Sequence, residues 1–227
     1  MAAALLLSVA AVAYNNTLNR WEPFHGPAYV PFNLTFACAI TLVAAATLEL
    51  SRAELGIEAD IVHAGVSLAA VVLFALGAFV FASSSHGHRI ADERVAGMHG
   101  AALAYYVLIR IPLGTALTEE VVFRGVLFAA WRAAGLSILG AALCSSVAFG
   151  LWHIAPTVNG VRINDPDASE GKVRAAVLGA VLLTTVAGLG LTWLRVETGG
   201  LLGPIVLHAG INSMGALAAV KACRSTR

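Results

Sequence analysis

Charge is scarce in this chain: Asp, Glu, Lys and Arg make up 12% of its 227 residues, about half the share of an ordinary globular domain, which carries about 25%. A water-soluble surface cannot be assembled from so few charges. With 59% hydrophobic residues and a mean hydropathy of +0.81, the composition is that of a polytopic membrane protein. The 14 basic residues are scattered and the net charge is +1. No basic stripe is available to follow a phosphate backbone, which argues against nucleic acid as a partner. Cysteine is also sparse: Cys38, Cys144 and Cys223 lie far apart with no C-x-x-C spacing, against both a disulfide framework and a cysteine-ligated metal. No internal repeat stands out, and no basic residue precedes the apolar run Ala2 to Tyr14 as it would in a signal peptide. That run is read as a short first transmembrane helix.

What is abundant is apolar sequence in long runs. A bilayer core of about 30 Å takes about 20 helical residues. Candidate spans fall at 2–18, 31–50, 62–83, 97–133, 135–153, 173–194 and 199–220. The expected fold class is therefore all-α, a polytopic transmembrane helical bundle of about seven spans. The fourth span would reach about 54 Å as one α-helix, so it must bend, tilt or protrude, and Pro112 with Gly114 is the expected break. The longest polar connection, Ala155 to Lys172, contains Asn159-Gly160 and Asp165-Pro166 and reads as a solvated loop. The amphipathic stretch Arg89 to Met98 reads as interfacial.

On seven spans, Arg20, Arg89, Arg94, Arg162, Lys172, Arg174, Lys221, Arg224 and Arg227 fall on one side, and Arg52, Arg132 and Arg195 on the other. The nine-to-three bias makes the first side cytoplasmic, with the N-terminus out and the C-terminus in. Arg110 and Arg124 lie within the long fourth segment.

Ionisable groups inside these runs are the informative exceptions. A charge at the bilayer centre costs at least about 2.5 to 3.5 kcal/mol, and Glu119-Glu120-Val-Val-Phe-Arg124 puts two carboxylates and a guanidinium within six residues. Arg124 lies nearly above Glu120 at i+4, while Glu119 points about a quarter turn away. Arg124 would hold Glu120 ionised and leave Glu119 free to take a proton from water. A structural buried salt bridge is the plainer account, and it leaves the second carboxylate unexplained.

His153 closes the apolar run after Phe149-Gly-Leu-Trp, where a helix dipole alone would favour it. His208 and Asn212 share a helix face entered through Gly199-Gly200, where a helix-packing role is the plainer account. Taken together, a carboxylate base, a histidine from a second helix and a histidine with an amide from a third can activate a water and stabilise an oxyanion.

The fragments EExxxR, FxxxH and HxxxN, in that order on apolar segments, with Phe123-Arg124-Gly125 and GLLGPIVLHAGIN around them, closely resemble the CPBP family of intramembrane proteases. That family includes the type II CAAX-prenyl endopeptidases and bacteriocin-processing or immunity proteins. The resemblance divides the chain into N-terminal transmembrane helices at 1–95, a protease-like core at 96–220 and a cytoplasmic tail at 221–227. It implies that Glu119 and His153 position and deprotonate the attacking water, that His208 and Asn212 hold the oxyanion, and that Glu120 and Arg124 support them. The implied substrate is a membrane-anchored peptide or protein.

Two other functions fit the same residues: a non-proteolytic scaffold or immunity-type protein that uses them for helix packing, and a transporter with a Glu/His proton relay. The missing inverted-repeat pattern argues against the transporter. No cofactor is favoured. Zinc remains possible with Glu119, His153 and His208 as ligands, but the chain has no H-E-x-x-H, and Asn212 stands where a metal would gain more from a carboxylate.

The remaining features take plainer accounts. His63 and His99 border spans; His25, His86 and His88 sit in loops. Trp21, Trp131 and Trp193 fall near span ends, as aromatic belts do. Ser145 and Ser146 lack a nucleophile elbow, and Asp165, Asp167 and Glu170 lack calcium-loop spacing.

Overall fold

The computed structural model describes residues 1–57, 61–84 and 86–225, with the side chains of 61–64, His63 among them, outside the description. Arg227 of the charge count lies outside it too. The described residues form eight helices and no strand: α1 (Ala2–Leu18), α2 (Tyr29–Leu48), α3 (Ile61–Ala82), α4 (Gly100–Ala133), α5 (Ile138–Trp152), α6 (Ile154–Asn164), α7 (Glu170–Thr198) and α8 (Leu202–Ser225). Six segments are long and apolar enough to cross a membrane, with α5 and α6 counted as one, and α1 adds a shorter apolar helix. The chain is an all-α integral membrane protein whose spans match those read from hydropathy to within a few residues. Its surface is apolar where a soluble protein's is polar: Leu73 is 72% exposed and Leu183 71%, whereas Glu120 and Thr118 are fully buried.

Small residues set the helix contacts, as expected where lipid removes the hydrophobic drive between helices. A Cβ at Gly150 of α5 would lie 2.7 Å from the Val181 carbonyl of α7, and one at Gly210 of α8 would lie 2.3 Å from Val71 of α3. Those two glycines let α5 meet α7 and α8 meet α3 at backbone distance.

The expected break in α4 does not occur. Residues Tyr106–Leu117 and Val121–Leu127 are wound as π-helix on either side of an α turn at Thr118–Glu120, so the helix absorbs Pro112 without interruption. In an i→i+5 ladder the N–H that Pro112 lacks would have gone to the Val107 carbonyl. That carbonyl instead accepts from Ser213 Oγ of α8 at 2.8 Å. Gly114 remains helical and packs flat against Tyr29 of α2.

Two further expectations need correction. The connection Ala155 to Lys172 is not all loop, because α6 occupies its first half. Side chains of α1 hold this helix: Asn16 Oδ1 accepts from Ala155 N at 2.7 Å, and Asn159 Nδ2 donates to the Asn19 carbonyl at 2.7 Å. These long-range bonds override the Asn159-Gly160 turn signal. Trp131 is no belt residue: it is buried, and its indole N–H donates to Ser8 Oγ at 3.2 Å. Trp21 and Trp193 are exposed, as are His25, His86, His88 and His99.

Hydrogen bonds tie the connections into two groups. At one end Asn19 meets Asn159, Glu93 N and Asp92 meet Asn164, and Arg224 meets the Met98 carbonyl. At the other, Arg195 donates to the Ala53 and Glu54 carbonyls, and Leu201 N to the Gly56 carbonyl. With Cys38, Cys144 and Cys223 replaced, single cysteines placed within 165–169 and at Ser225 should therefore be labelled from the same membrane face. A cysteine at Arg52 should be labelled only from the opposite face, and common labelling of all three by one impermeant reagent would contradict the bundle.

Candidate active site

Glu119 and Glu120 sit on the α turn between the two π-wound stretches of α4, both buried. They point different ways. Glu120 Oε1 accepts from Arg124 Nη1 at 3.2 Å and from His208 Nδ1 at 2.7 Å. Arg124, 1% exposed, also lies 4.1 Å over the Phe149 ring. Gly188 of α7 makes room for it, since a Cβ there would come within 3.1 Å of Arg124 Nη2. The buried cation is thus matched by a carboxylate, an aromatic face and a gap in the neighbouring helix.

Glu119 turns toward a cavity of about 1260 Å³ that His153 and Asn212 also line. Its Oε1 accepts from the Trp152 indole N–H at 3.1 Å. Its Oε2 is buried and accepts from no described residue. That oxygen faces two imidazoles, with His208 Nε2 at 3.7 Å and His153 Nε2 at 4.0 Å.

The partners of the rings fix their proton placement. A carbonyl only accepts, so His153 Nδ1 donates to the Phe149 carbonyl at 2.7 Å, and neutral His153 turns a bare Nε2 toward Glu119. Likewise His208 donates from Nδ1 to Glu120 and, when neutral, offers a lone pair at Nε2. Three acceptors then converge on one point, which suits a species that brings protons or positive charge.

His153 stands at the junction of α5 and α6, with φ −87° and ψ 4°. The first helix places it: Asn15 Nδ2 donates to the Trp152 carbonyl at 2.8 Å and Asn16 Nδ2 to the Leu151 carbonyl at 2.9 Å. Those bonds satisfy carbonyls that a helix C-terminus would otherwise leave open. Tyr14, Phe36 and Phe123 surround Trp152, with ring centroids 5.3 to 6.3 Å from its own. Trp152 and the Asn15-Asn16 pair were not singled out in the sequence as site residues. The only signal for Trp152 is its place just before His153, and nothing local marks the asparagines.

All six predicted residues are gathered. Glu119, Glu120, Arg124, His153 and His208 form one connected cluster, and Asn212 lines the same cavity without a hydrogen-bond partner among the described residues. Glu119 Oε2 and the two Nε2 atoms are the donor atoms a metal would use. Ser145 is taken up by the Ala142 carbonyl at 3.2 Å.

A helical bundle that holds a buried carboxylate beside two histidines, His208 buried and His153 half-buried, next to a cavity inside its spans has the groups that an intramembrane hydrolase needs. The family model of the type II CAAX prenyl endopeptidase Rce1-like proteins matches residues 101–214, half of the chain and every candidate residue above, and the chain belongs to that family. Comparison with curated proteins and with solved structures finds no match.

Arg124→Ala should lower the amount and thermal stability of folded protein in the membrane, since stripping one partner from a buried ion pair costs about 3 to 5 kcal/mol. Wild-type melting of the purified variant in detergent would show that the Glu120 pair carries no such weight.

Proposed function

We propose that the protein is an endopeptidase that hydrolyses a peptide bond of a membrane-associated substrate with a water activated by Glu119. The observation that carries this is Glu119 Oε2, buried, without a partner among the described residues, and facing two imidazole Nε2 atoms at 3.7 and 4.0 Å. Both separations exceed a direct hydrogen bond and leave room for a shared water.

The water donates one hydrogen bond to Glu119 Oε2 and the other to His153 Nε2, which leaves an oxygen lone pair for the scissile carbonyl. Glu119 takes the proton as the C–O bond forms and later passes it to the leaving amine nitrogen as the C–N bond breaks. The oxyanion falls to the Asn212 amide and to His208. To donate from Nε2 while Nδ1 still serves Glu120, His208 must be an imidazolium, whose charge Glu120 and the oxyanion balance. Arg124 pairs with Glu120 and holds it in place for that task, and Trp152 holds Glu119 in orientation.

The mechanism proposed needs no metal. Two ligands on a tetrahedral zinc at about 2.1 Å stand about 3.4 Å apart, closer than either separation here, and Asn212 takes the place a further carboxylate would fill. Elemental analysis of active protein should find no stoichiometric zinc, and a chelator should leave the activity intact. About one equivalent of zinc, with activity lost to the chelator and restored by the metal, would overturn this point.

The nine-to-three charge bias supports a protein of the cell membrane with its N-terminus outside and its C-terminus in the cytoplasm. Asp92, Arg94 and Asn159 line the cavity at the end assigned to the cytoplasm, so substrate and water enter from there. In intact cells an impermeant reagent should reach only the cysteine at position 52 of the set described above.

Glu119→Ala and His153→Ala should each lower cleavage by at least about 10² while leaving insertion and melting unchanged. Peptide profiles of membranes from cells carrying wild-type and variant protein supply the measurement. Undiminished cleavage by both variants would sink the mechanism.

A further inference from the structure

The chemistry above uses one side of α5. On its other side α5 and α1 enclose a second concavity, of about 700 Å³. Its walls are Val9, Val12 and Ala13 of α1 and Leu143, Val147 and Leu151 of α5. Residues two apart on a helix lie about 200° apart, so Val147 and Leu151 face away from Phe149, the ring beneath Arg124. The polar groups of this groove are taken up within the protein. Ser8 Oγ donates to the Ala4 carbonyl at 2.8 Å and accepts from the Trp131 indole at 3.2 Å. Asn16 spends its amide on the Leu151 carbonyl at 2.9 Å and on Ala155 N at 2.7 Å. Along its length the groove therefore offers a hydrocarbon surface.

One end differs. Arg20 is the one charged residue on the groove wall, and it is exposed, without an ion-pair partner among the described residues. Thr17, one turn before it on the same face, brings a hydroxyl to the same end. Trp21, 47% exposed, sets the depth, since exposed indoles settle at the headgroup level of a bilayer. Ser8 and Arg20 are twelve residues apart, about 18 Å of helix, close to the roughly 15 Å that one leaflet gives to a 30 Å hydrocarbon core. The groove thus has the length of one lipid tail and a cation where the phosphate of that lipid would lie.

We infer that the groove between α1 and α5 binds one anionic phospholipid of the leaflet that Arg20 faces, with an acyl chain along Val12 and Val147 and the phosphate at Arg20 and Thr17. The charge bias makes this the cytoplasmic leaflet, which is the one that carries anionic lipid. Lipid lies beside every span of a membrane protein, but here a wall on either side and a cation at headgroup depth retain a particular one. The site is separate from the cavity of Glu119. Its occupant braces α1 against α5, the contact through which Asn15 and Asn16 hold the backbone around His153. The inference rests on the groove and is independent of the endopeptidase reading.

Full-length protein stripped of lipid in detergent provides the test. It is titrated with phosphatidylglycerol and with phosphatidylcholine of the same acyl chains, while native mass spectrometry counts bound lipid and melting is followed in parallel. Wild type should hold one phosphatidylglycerol about fivefold more tightly than phosphatidylcholine, the factor that one juxtamembrane arginine contributes. Its melting temperature should rise with the anionic lipid, because a ligand bound only by the folded state stabilises it. Arg20→Gln should abolish the preference, whereas Arg174→Gln, which removes an exposed cation outside the groove, should keep it. Val147→Trp, or Ala13→Phe on the facing wall, should fill the groove and weaken both lipids by at least about fivefold; both positions are exposed, so neither change disturbs the core. Equal affinity for the two lipids, loss of the preference in Arg174→Gln as well, or unchanged binding by both filled variants would overturn the inference. Displacement of bound phosphatidylglycerol by a farnesylated peptide would overturn it too, by assigning the groove to a substrate chain.

Discussion

The chain Arg124–Glu120–His208 is the constraint on which the rest of the site depends. A guanidinium and a carboxylate with almost no exposure cannot be hydrated, so each depends for compensation on the other and on what surrounds them. Arg124 draws on the Glu120 carboxylate and the Phe149 ring, and Glu120 in turn receives His208 from a different helix. Three helices, α4, α5 and α8, are thereby drawn to one point, and Gly188 of α7 supplies the space. Glu119 is left over from this compensation, with one oxygen held by Trp152 and the other turned to the cavity. An acceptor beside a cavity and next to two imidazoles is what a proton-transfer reaction requires.

The unusual winding of α4 serves the same end. A straight α-helix through Pro112 would leave an open carbonyl in lipid, where an unsatisfied backbone group is costly. The π ladder and the Ser213 hydroxyl remove that cost. They also alter which residues share a face, so Arg110 and Glu119 look into one space. The N-terminal helices act as a buttress: the amides of Asn15 and Asn16 hold the end of α5 from which His153 projects, and Tyr14 with Phe36 flanks Trp152.

Much of this was legible from local pattern. Apolar runs at bilayer length locate the spans because hydropathy is a sum over neighbours in sequence. The i, i+4 relation of Glu120 and Arg124 is likewise local, and it holds in the structure at 3.2 Å. Other features were hidden for one physical reason. Whether Asn159-Gly160 turns or continues a helix depends on Asn19, 140 residues away. The burial of Trp131 depends on Ser8, and the place of Trp152 on Glu119. In each case the deciding partner lies on another helix.

The sequence by itself determined that this protein lives in a membrane, that it has about seven apolar helices, and which six polar residues stand out against them, since each follows from composition and from spacing within one helix. Tertiary structure alone decided which glutamate oxygen meets the two imidazoles, which ring nitrogens face it, and that Arg110 opens on the same cavity. Such facts are distances between helices. They are set by close approach at Gly150, Gly188 and Gly210 and by the compensation of buried charge, and neither is written in any single run of residues.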